Sequence, residues 1–465
     1  MSDKRIETIN PSTGKVIATY DIMSNDEIHK KVANAHVAQK NWKTLDISER
    51  STYIRALGRV MRKNKDEYAR LVTEEMGKPI RQAIAEIEKC AWLCDYYSEH
   101  SESFLRDELI PTEFRKSFVS FEPLGVIAGI MPWNFPFWQA MRFAVPALIA
   151  GNVEILKHSS VCLGSALELE EAFKDAGFPE SIFQCVIGDA RVGEALILSQ
   201  IDAVSVTGSV STGKRVAELA SRDLKKFVLE LGGSDPFIVL EDADLSQTAH
   251  MATQSRLLNT GQSCISAKRF IVHKEVADKF TELFVEDTEA EVVGDPMDPR
   301  TTVGPLVRES QRQALAQQIE DAKSKQATVL TGGNTINGNG YFFEPTIVTD
   351  VNHNMNIIKE EVFGPAAPII VVNNEQEAIA EANNSEFGLG ASIWTNNVER
   401  GTSLARQIQS GIVFINEMVK SDPRMPFGGI KLSGIGRELA EFGIKEFVNV
   451  KSIVVKDIAS KLLVE

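Results

Sequence analysis

One cysteine of this chain lies in a setting that suits covalent chemistry. Cys264 ends the segment NTGQSC (Asn259–Cys264), in which a glycine and small polar residues precede the thiol. A thiolate is the strongest side-chain nucleophile near neutral pH, so this cysteine is a candidate for attack on a bound carbonyl group. The alternative is a small buried core residue, because free cysteine is among the most frequently buried residue types.

A carboxylate stands where it could act as a base in the same chemistry. Glu230 follows the apolar run KFVL and precedes Gly232 and Gly233, so we expect it at the carboxyl end of a buried strand. Burial disfavours the charged form and raises the pKa of a carboxyl group toward the range of a general base. A strand-end ion pair is the structural alternative.

The segment VTGSVSTG (Val206–Gly213) predicts a strand that turns at Gly208 into a helix beginning near Ser209. The free N–H groups and the positive dipole end of such a helix suit a pyrophosphate group. The segment departs from the GxGxxG pattern of many dinucleotide-binding proteins, so it is a weak signal by itself.

The elements that must position these residues alternate between strands and helices. One alternating series runs from Val126 to Leu231 and a second from Pro236 to about Phe414, which predicts an α/β protein with parallel sheets. Ligands of parallel sheets lie beyond the carboxyl ends of the strands. In the first series those ends carry Asn134, Lys157, Gly188, Gly208, Ser209 and Glu230.

Length and composition restrict the class of protein. A chain of 465 residues predicts two or three domains, and a net charge of −14 disfavours a nucleic-acid or anionic-membrane surface. Five cysteines, no signal peptide and no apolar run long enough to span a bilayer favour a cytoplasmic protein. Cys90 and Cys94 lie four residues apart without further ligands nearby, so we expect packing and no metal site.

Six motifs in order resemble the aldehyde dehydrogenase superfamily over nearly the whole chain. The branch that the chain most resembles is the succinate-semialdehyde dehydrogenases, through ILKHSS (Ile155–Ser160) and KSDPRMPFGG (Lys420–Gly429). The six motifs are PWNFP (Pro132–Pro136), VTGSV (Val206–Val210), ELGG (Glu230–Gly233), GQSC (Gly261–Cys264), EEVFGP (Glu360–Pro365) and PFGGIKLSGIGRE (Pro426–Glu438).

The resemblance implies two doubly wound parallel-sheet domains and a small β arm for oligomerisation. We assign residues 1–110 and 125–232 to a Rossmann-like dinucleotide-binding domain and residues 233–430 to a catalytic domain that holds the nucleophilic cysteine. Residues 111–124 and 445–460 form the arm. The strand pattern at Phe447–Val455 could lack a partner in its own domain, which favours pairing between subunits of a homodimer or homotetramer.

The resemblance also implies the activity and its residues. Cys264 attacks an aldehyde to give a thiohemiacetal, Asn134 stabilises its oxyanion, and Glu230 activates the water that hydrolyses the later thioester. Cofactor contacts are implied at the following positions besides Gly188: Trp133, Lys157, Gly208, Ser209, Leu231, Glu361 and Phe363.

Ser160 bears on the choice between NAD and NADP. Family members that prefer NAD often carry a glutamate there, which would repel a 2′-phosphate. Serine removes that repulsion, and Lys157 could then pair with the phosphate. We therefore expect NADP to be accepted and even preferred, with NAD as the alternative cofactor.

The substrate is expected to be succinate semialdehyde, and its carboxylate needs a basic anchor. Arg142 matches an arginine of the semialdehyde branch, and Ser421 and Arg424 could complete the anion site. A second family arginine is absent, because Leu258 stands at its position with Arg256 two residues earlier. A surface or inter-domain ion pair is the structural alternative for Arg142. Glu438 resembles a second family carboxylate near the water channel, and a structural ion pair is equally plausible for it.

Other functions remain open at this stage. Within the family, the substrate could be glutarate semialdehyde or a neutral aldehyde. A coenzyme A-acylating enzyme commonly lacks the glutamate at the position of Glu230, so its presence favours hydrolysis. A cysteine-dependent hydrolase would need neither Glu361 nor the turn at Gly208, and a purely structural protein would need none of the reactive residues.

Overall fold

The computed structural model describes residues 5–456, which form fifteen α-helices and twenty strands. The helices are α1 (Asn25–Trp42), α2 (Ile47–Lys63), α3 (Lys65–Met76), α4 (Ile80–Leu105), α5 (Pro136–Ile149), α6 (Leu163–Asp175), α7 (Ala190–Leu198), α8 (Val210–Ser221), α9 (Leu245–Leu257), α10 (Lys274–Glu289), α11 (Glu309–Ser324), α12 (Asn356–Lys359), α13 (Glu375–Asn383), α14 (Val398–Ala405) and α15 (Ala440–Glu446).

The strands follow the same chain order. They are β1 (Arg5–Ile9), β2 (Val16–Asp21), β3 (Glu108–Leu109), β4 (Lys116–Pro123), β5 (Val126–Met131), β6 (Val153–His158), β7 (Phe183–Cys185), β8 (Ala203–Thr207), β9 (Lys226–Glu230), β10 (Asp235–Val239), β11 (Ala267–His273), β12 (Thr328–Thr331), β13 (Thr346–Thr349), β14 (Ala366–Val372), β15 (Phe387–Gly388), β16 (Gly390–Trp394), β17 (Ile412–Ile415), β18 (Ile430–Lys431), β19 (Gly434–Ile435) and β20 (Val448–Val455).

The first large sheet has the strand order β19-β9-β8-β5-β6-β7, and all of its strands are parallel except β19. Central strands such as β5, β6 and β8 are buried almost throughout, because helices cover both faces and most positions are apolar. Ile130 pairs with Lys157 on one side and with Val206 on the other, so these strand ends meet at one edge of the sheet.

The second large sheet has the order β12-β13-β14-β11-β10-β16-β17, with only β12 antiparallel. Separate apolar clusters lie on its faces, one around Phe237, Phe270 and Trp394 and another around Ile238 and Ile393. The prediction of an α/β fold with two doubly wound parallel sheets is confirmed. The assigned domain boundaries stay predictions.

A third sheet, β20-β4-β3, stands apart from the two large ones. β20 pairs antiparallel with β4 from Val448 opposite Pro123 to Val455 opposite Lys116, so the C-terminal strand has a partner within its own chain. It remains an edge strand, and Val450 and Val454 on it are exposed. Residues 457–460 of the predicted arm, like residues 1–4, lie outside the described residues.

Local sequence signals explain where the helices begin and end. Ser24 and Glu27 form a capping box at the start of α1, and Gly77 ends α3 in the left-handed region at φ 78°. Neither β12 nor α15 is apparent from the sequence. In residues 5–456, no helix is both long enough and apolar enough to cross a bilayer.

Candidate active site

The loop that carries Cys264 is held in an unusual backbone conformation. A 3-10 turn at Leu258–Gly261 places Asn259, Thr260 and Gly261 at φ 54°, 58° and 74°. Residues other than glycine rarely adopt positive φ. The Asn259 side-chain amide donates to the carbonyl oxygen of Asn134 at 2.8 Å, and Arg256 donates to that of Gly261 at 2.7 Å. These bonds offset the backbone strain and fix the loop.

Two further side chains hold the residues next to the thiol. The Asn134 amide nitrogen donates to the Gln262 carbonyl at 2.9 Å, so the PWNFP loop and the cysteine loop are tied together in both directions. The buried Lys268 ammonium donates to the carbonyl oxygens of Ser263 at 2.9 Å and Cys264 at 2.6 Å. The Asn134 amide has a second N–H, which remains for a ligand.

The thiol itself is held neutral at ordinary pH. Burial raises the pKa of Cys264 to about 12, while the positive charges of Arg142 and Lys268 act in the opposite direction. Its side chain is nevertheless half-buried, whereas Cys90, Cys94, Cys162 and Cys185 are fully buried. Cys264 is therefore the accessible thiol of the described cysteines.

Cys264 lies at the junction of two cavities. The first, of about 400 Å³, opens at the carboxyl ends of the first sheet, and we call it the strand-end cavity. The second, of about 300 Å³, lies between α4 and α5, and we call it the helix cavity. One sulfur atom can therefore be reached from both sides.

Six of the nine predicted cofactor residues line the strand-end cavity. Asn134 lies in the same wall, and the Trp133 and Phe363 rings meet edge-on with their centroids 5.7 Å apart. The six residues are Trp133, Gly208, Ser209, Leu231, Glu361 and Phe363.

The turn into α8 fits a phosphate group. The Ser209 hydroxyl caps α8 by accepting from the Thr212 N–H at 3.2 Å, and Gly208 places no side chain at the helix start. Glu361 lies across this cavity, where it accepts from the Gly233 N–H at 3.0 Å and stands 3.4 Å from the Lys268 ammonium. The same cavity therefore offers backbone donors that can bind an anion and a carboxylate that can accept from hydroxyl groups. A dinucleotide requires both.

The other three predicted cofactor residues lie at neighbouring strand ends without lining this cavity. Lys157 is the last but one residue of β6, Ser160 lies two residues after that strand, and Gly188 lies three residues after β7. Burial lowers the pKa of Lys157 to about 8, although Asp189 acts in the opposite direction. A ligand would reach them only by extending along the sheet edge from β8 past β6.

Glu230 ends β9 as expected, but it is not among the residues that line either cavity. It is 2% exposed, and a Cβ atom at Gly428 would lie 2.6 Å from its Oε1 atom. Within residues 5–456, neither carboxyl oxygen accepts a hydrogen bond. Burial and then the neighbouring Glu438 raise the pKa of Glu230 well above its usual value.

Arg142 lines the helix cavity, yet its charge is already paired. The guanidinium forms an ion pair with Glu438, and both side chains are almost completely buried. It also stacks on the Phe427 ring at 4.4 Å. The ion pair considered as the structural alternative for Arg142 and Glu438 is the arrangement found, and breaking such a pair costs about 3–5 kcal/mol.

The two other predicted anion-binding residues differ in position. Ser421 is buried and lines the helix cavity. Arg424 is exposed, pairs with Asp422 at 2.6 Å and lies outside the cavity wall, so the structure does not place it with Ser421. Arg424 lies beyond Asp422 and Pro423, and the Asp422 carboxylate holds the Arg424 side chain at the surface.

Arg256 does not replace the missing second arginine. It is 1% exposed and donates to the carbonyl oxygens of Gly261, Ala267 and Val362, which makes it part of the support of the cysteine loop. Leu258 lines the helix cavity instead.

Several residues of both cavities escaped the sequence analysis. Arg308 and Gln311 line the strand-end cavity, and Lys89 and Gln139 line the helix cavity. Lys89 lies on α4, which carries none of the predicted site residues. A cation four residues after Ala85, on the face of α4 toward α5, is the only signal that could have indicated it.

The sequence comparisons place the chain in a family. A model described as the aldehyde dehydrogenase family matches residues 1–453. The chain therefore belongs to the aldehyde dehydrogenase family, and the predicted resemblance is confirmed.

Two relatives and one solved structure show which members of the family this chain is similar to. A probable NADP(+) succinate-semialdehyde dehydrogenase of Synechocystis sp. is 46% identical over 449 residues, covering 96% of this chain and 99% of the relative. An aldehyde dehydrogenase of Paenarthrobacter nicotinovorans is 43% identical over 96% of this chain and 99% of its own. The crystal structure of a Streptococcus pyogenes succinic semialdehyde dehydrogenase with NADP+ superposes with a TM-score of 0.95 at 37% identity, covering 97% of this chain and 100% of that one.

Proposed function

We propose that this protein oxidises an aldehyde to the carboxylic acid with NADP or NAD as the oxidant. The observation that carries the proposal is the position of Cys264, which lines both the strand-end cavity and the helix cavity. A substrate in the helix cavity and a dinucleotide in the strand-end cavity would then meet at one sulfur atom.

The first step uses Cys264 and two N–H donors. The sulfur forms a bond with the aldehyde carbon while the thiol proton passes to water in the cavity, and the carbonyl π electrons move to the oxygen, which becomes an oxyanion. We propose that the free N–H of the Asn134 amide and the backbone N–H of Cys264 donate to that oxygen. The 2.9 Å hydrogen bond from the Asn134 amide nitrogen to the Gln262 carbonyl oxygen holds the amide beside the cysteine loop before the substrate binds.

The proposed cofactor residues bind and orient the dinucleotide. Gly208 and Ser209 present the start of α8 to the pyrophosphate, Glu361 accepts from the ribose hydroxyls beside the nicotinamide, and Trp133, Leu231 and Phe363 flank the ring. Lys157, Ser160 and Gly188 would contact the adenosine half. When bound, the nicotinamide supplies the oxidising power by accepting a hydride from the thiohemiacetal carbon.

The last step is assigned to Glu230. Its carboxylate takes a proton from water, the water oxygen attacks the thioester carbon, the C–S bond breaks, and the Cys264 thiolate leaves. Because Glu230 lines neither cavity and its carboxyl lies against Gly428, we infer that the side chain turns toward the thiol for this step. The absence of hydrogen bonds to it within residues 5–456 removes one obstacle to that rotation.

The proposed substrate is succinate semialdehyde or another short aldehyde with a terminal carboxylate. A helix cavity of about 300 Å³ is at the small end of ligand sites, and its wall includes Lys89, Arg142 and Ser421. The named activities of the Synechocystis and Streptococcus proteins support the same substrate. Glutarate semialdehyde and neutral aldehydes are the alternatives.

A panel of aldehydes tests this proposal directly. With NADP, absorbance at 340 nm should rise with every aldehyde that is turned over. We expect kcat/KM for succinate semialdehyde to exceed that for butanal, which lacks the carboxylate, by about 10-fold or more, the effect of one charged hydrogen bond. Release of acid and alcohol from an added ester, with no change at 340 nm for any aldehyde, would instead indicate a hydrolase, and equal values for both aldehydes would remove the carboxylate from the proposal.

Cofactor preference is a second expected outcome. Ser160 places no negative charge beside Lys157, so kcat/KM with NADP should equal or exceed that with NAD. Ser160→Glu should lower kcat/KM with NADP by about 10-fold or more through like-charge repulsion, and leave that with NAD within a few-fold. Steady-state kinetics with both cofactors check this, and a wild-type enzyme that strongly prefers NAD would contradict it.

We also propose that the sheet β20-β4-β3 contacts a second copy of the chain. Val450 and Val454 are exposed on the edge strand β20, where a further strand could add. Light scattering that returned the mass of a single chain at micromolar concentration would contradict this. Dimer or tetramer, and the expected cytoplasmic location, stay predictions.

A further inference from the structure

We propose that Lys89, together with Ser421, binds the terminal carboxylate of the aldehyde in the helix cavity. This inference rests on the proposed function and names the group that distinguishes a carboxylated aldehyde from a neutral one. Neither residue would take part in the chemical step. Both would instead determine which aldehyde the cavity binds.

The position of Lys89 follows from the periodicity of α4. Arg81, Ala85 and Lys89 are spaced four residues apart, and all three line the helix cavity. The same cavity includes Cys264 in its wall. The ammonium group and the reactive sulfur thus share one enclosed space of about 300 Å³.

The contacts of Lys89 orient its ammonium without neutralising it. Its Nζ donates to the Ser421 hydroxyl oxygen at 2.7 Å and lies 4.3 Å from the centroid of the Trp138 ring. Among residues 5–456, no carboxylate lies within ion-pair distance of this amine. An ammonium has three N–H donors, so Lys89 retains donors for a ligand after bonding to Ser421.

The other charged groups around the cavity already have partners or lie at its rim. Arg142 is paired with Glu438, and Lys420 pairs with Glu417 at 2.8 Å on the surface. Arg81 is exposed. Lys89 is therefore the cation whose charge is available inside the cavity.

The acid in the same wall is also accounted for. Glu86 forms a buried ion pair with Lys78 and accepts from the backbone N–H groups of Phe137 and Trp138 at 2.9 and 3.0 Å. Its negative charge is thus compensated and does not oppose the approach of a carboxylate. An anionic ligand would meet a cavity whose uncompensated charge is positive.

The protonation of Lys89 supports the same role. Burial, followed by the nearby positive charge of Arg142, lowers its pKa to about 8, while Cys90, Asp422 and Glu86 act in the opposite direction. The amine is protonated below about pH 8 and loses its charge above it. A ligand carboxylate would favour the charged form, as expected for a site that is incomplete without an anion.

Substitution of Lys89 tests the proposal through a ratio. In Lys89→Met, which keeps the length of the apolar stem against Trp138, kcat/KM for succinate semialdehyde divided by that for butanal should fall about 10- to 100-fold. The loss should appear mainly in KM, because the contact is made equally before and during the reaction. Lys89→Arg should restore most of the ratio.

Lys420→Met is the matched control, since it removes a cation of the same cavity wall that is exposed and paired. Its ratio should change less than about twofold, because exposed charges are screened by solvent. A wild-type ratio near one would defeat the proposed substrate class. A high wild-type ratio that persists in Lys89→Met would overturn the role of Lys89 alone.

A measurement on the unaltered protein covers the case in which Lys89→Met does not fold. The wild-type ratio should fall as pH rises through about 8, where Lys89 loses its proton, and succinate should inhibit less well over the same range. The ionisation of Cys264 affects both aldehydes and cancels in the ratio. A ratio that stays constant from pH 7 to pH 10 would contradict the proposal.

Discussion

Cys264→Ala should reduce kcat/KM for aldehyde oxidation by about 10⁴-fold or more, the size of effect seen when a nucleophile that acts with its neighbours is removed. Without the sulfur no thiohemiacetal forms, and the aldehyde hydrate has no group that holds its carbon at the junction of the two cavities. NADPH should bind with unchanged affinity, because the predicted dinucleotide contacts lie on other residues.

Initial rates at 340 nm and a fluorescence titration with NADPH measure the two quantities separately. Cys94→Ala is the matched control, since it removes a fully buried thiol between α2 and α4 and should keep the parental rate. A thiol reagent offers a second route: one equivalent should abolish activity and label Cys264, the half-buried cysteine. Parental activity in Cys264→Ala would refute the nucleophile and with it the proposed mechanism.

The positions of the strand ends could be predicted from the sequence because they depend on short-range pattern. β5 begins at Val126, where the first alternating series was predicted to begin, and the strands expected to end near Lys157, Gly208 and Glu230 end at His158, Thr207 and Glu230. Since parallel strands place their carboxyl ends at one edge, backbone position brought Trp133, Gly208, Ser209 and Leu231 into one cavity, whereas Glu361 and Phe363 reach it from the segment before β14.

Side-chain direction and long-range pairing could not be predicted in this way. Arg142 was predicted to anchor the substrate carboxylate, but its ion pair with Glu438, almost 300 residues away beside the bridge to Phe427, could not be predicted. Glu230 ends its strand as expected, yet it lines neither cavity. Both depend on how the segment after β17 returns to the first sheet, which no local pattern records.

Lys89 is another residue whose role could not be predicted from the local sequence. Its spacing on α4 predicts only that it shares a face with Arg81 and Ala85. Its meeting with Ser421, 332 residues later, decides that this face lines a cavity and not the solvent. The residues that determine specificity are therefore the ones that sequence motifs describe least, because they come from separate elements joined only by the fold.

Glu230→Gln should separate the two halves of the reaction. The amide cannot take a proton from water, so thioester hydrolysis should slow by about 10²- to 10⁴-fold, while formation of the thioester continues. Rapid mixing with aldehyde and NADP should give a burst at 340 nm of one equivalent per Cys264, followed by almost no turnover. Mass spectrometry of the quenched protein should show the added acyl group.

The pH dependence of the wild-type enzyme gives the sign of this effect. Burial and the neighbouring Glu438 raise the pKa of Glu230, so the carboxyl is protonated and inactive as a base at low pH, and the hydrolytic rate should rise as pH increases. In Glu230→Gln that rise should vanish from the hydrolytic step, because the amide does not ionise over this range.

Glu154→Gln is the control that distinguishes a base from a buried carboxyl in general. Glu154 on β6 is 0% exposed, neither of its carboxyl oxygens accepts a hydrogen bond within residues 5–456, and burial raises its pKa in the same direction. Glu154 lines neither cavity. Its replacement should therefore leave turnover at the wild-type rate and should produce no burst. If Glu230→Gln also turned over at the wild-type rate without an acyl adduct, another group must activate the water, and the inferred rotation of Glu230 toward the thiol would have no role.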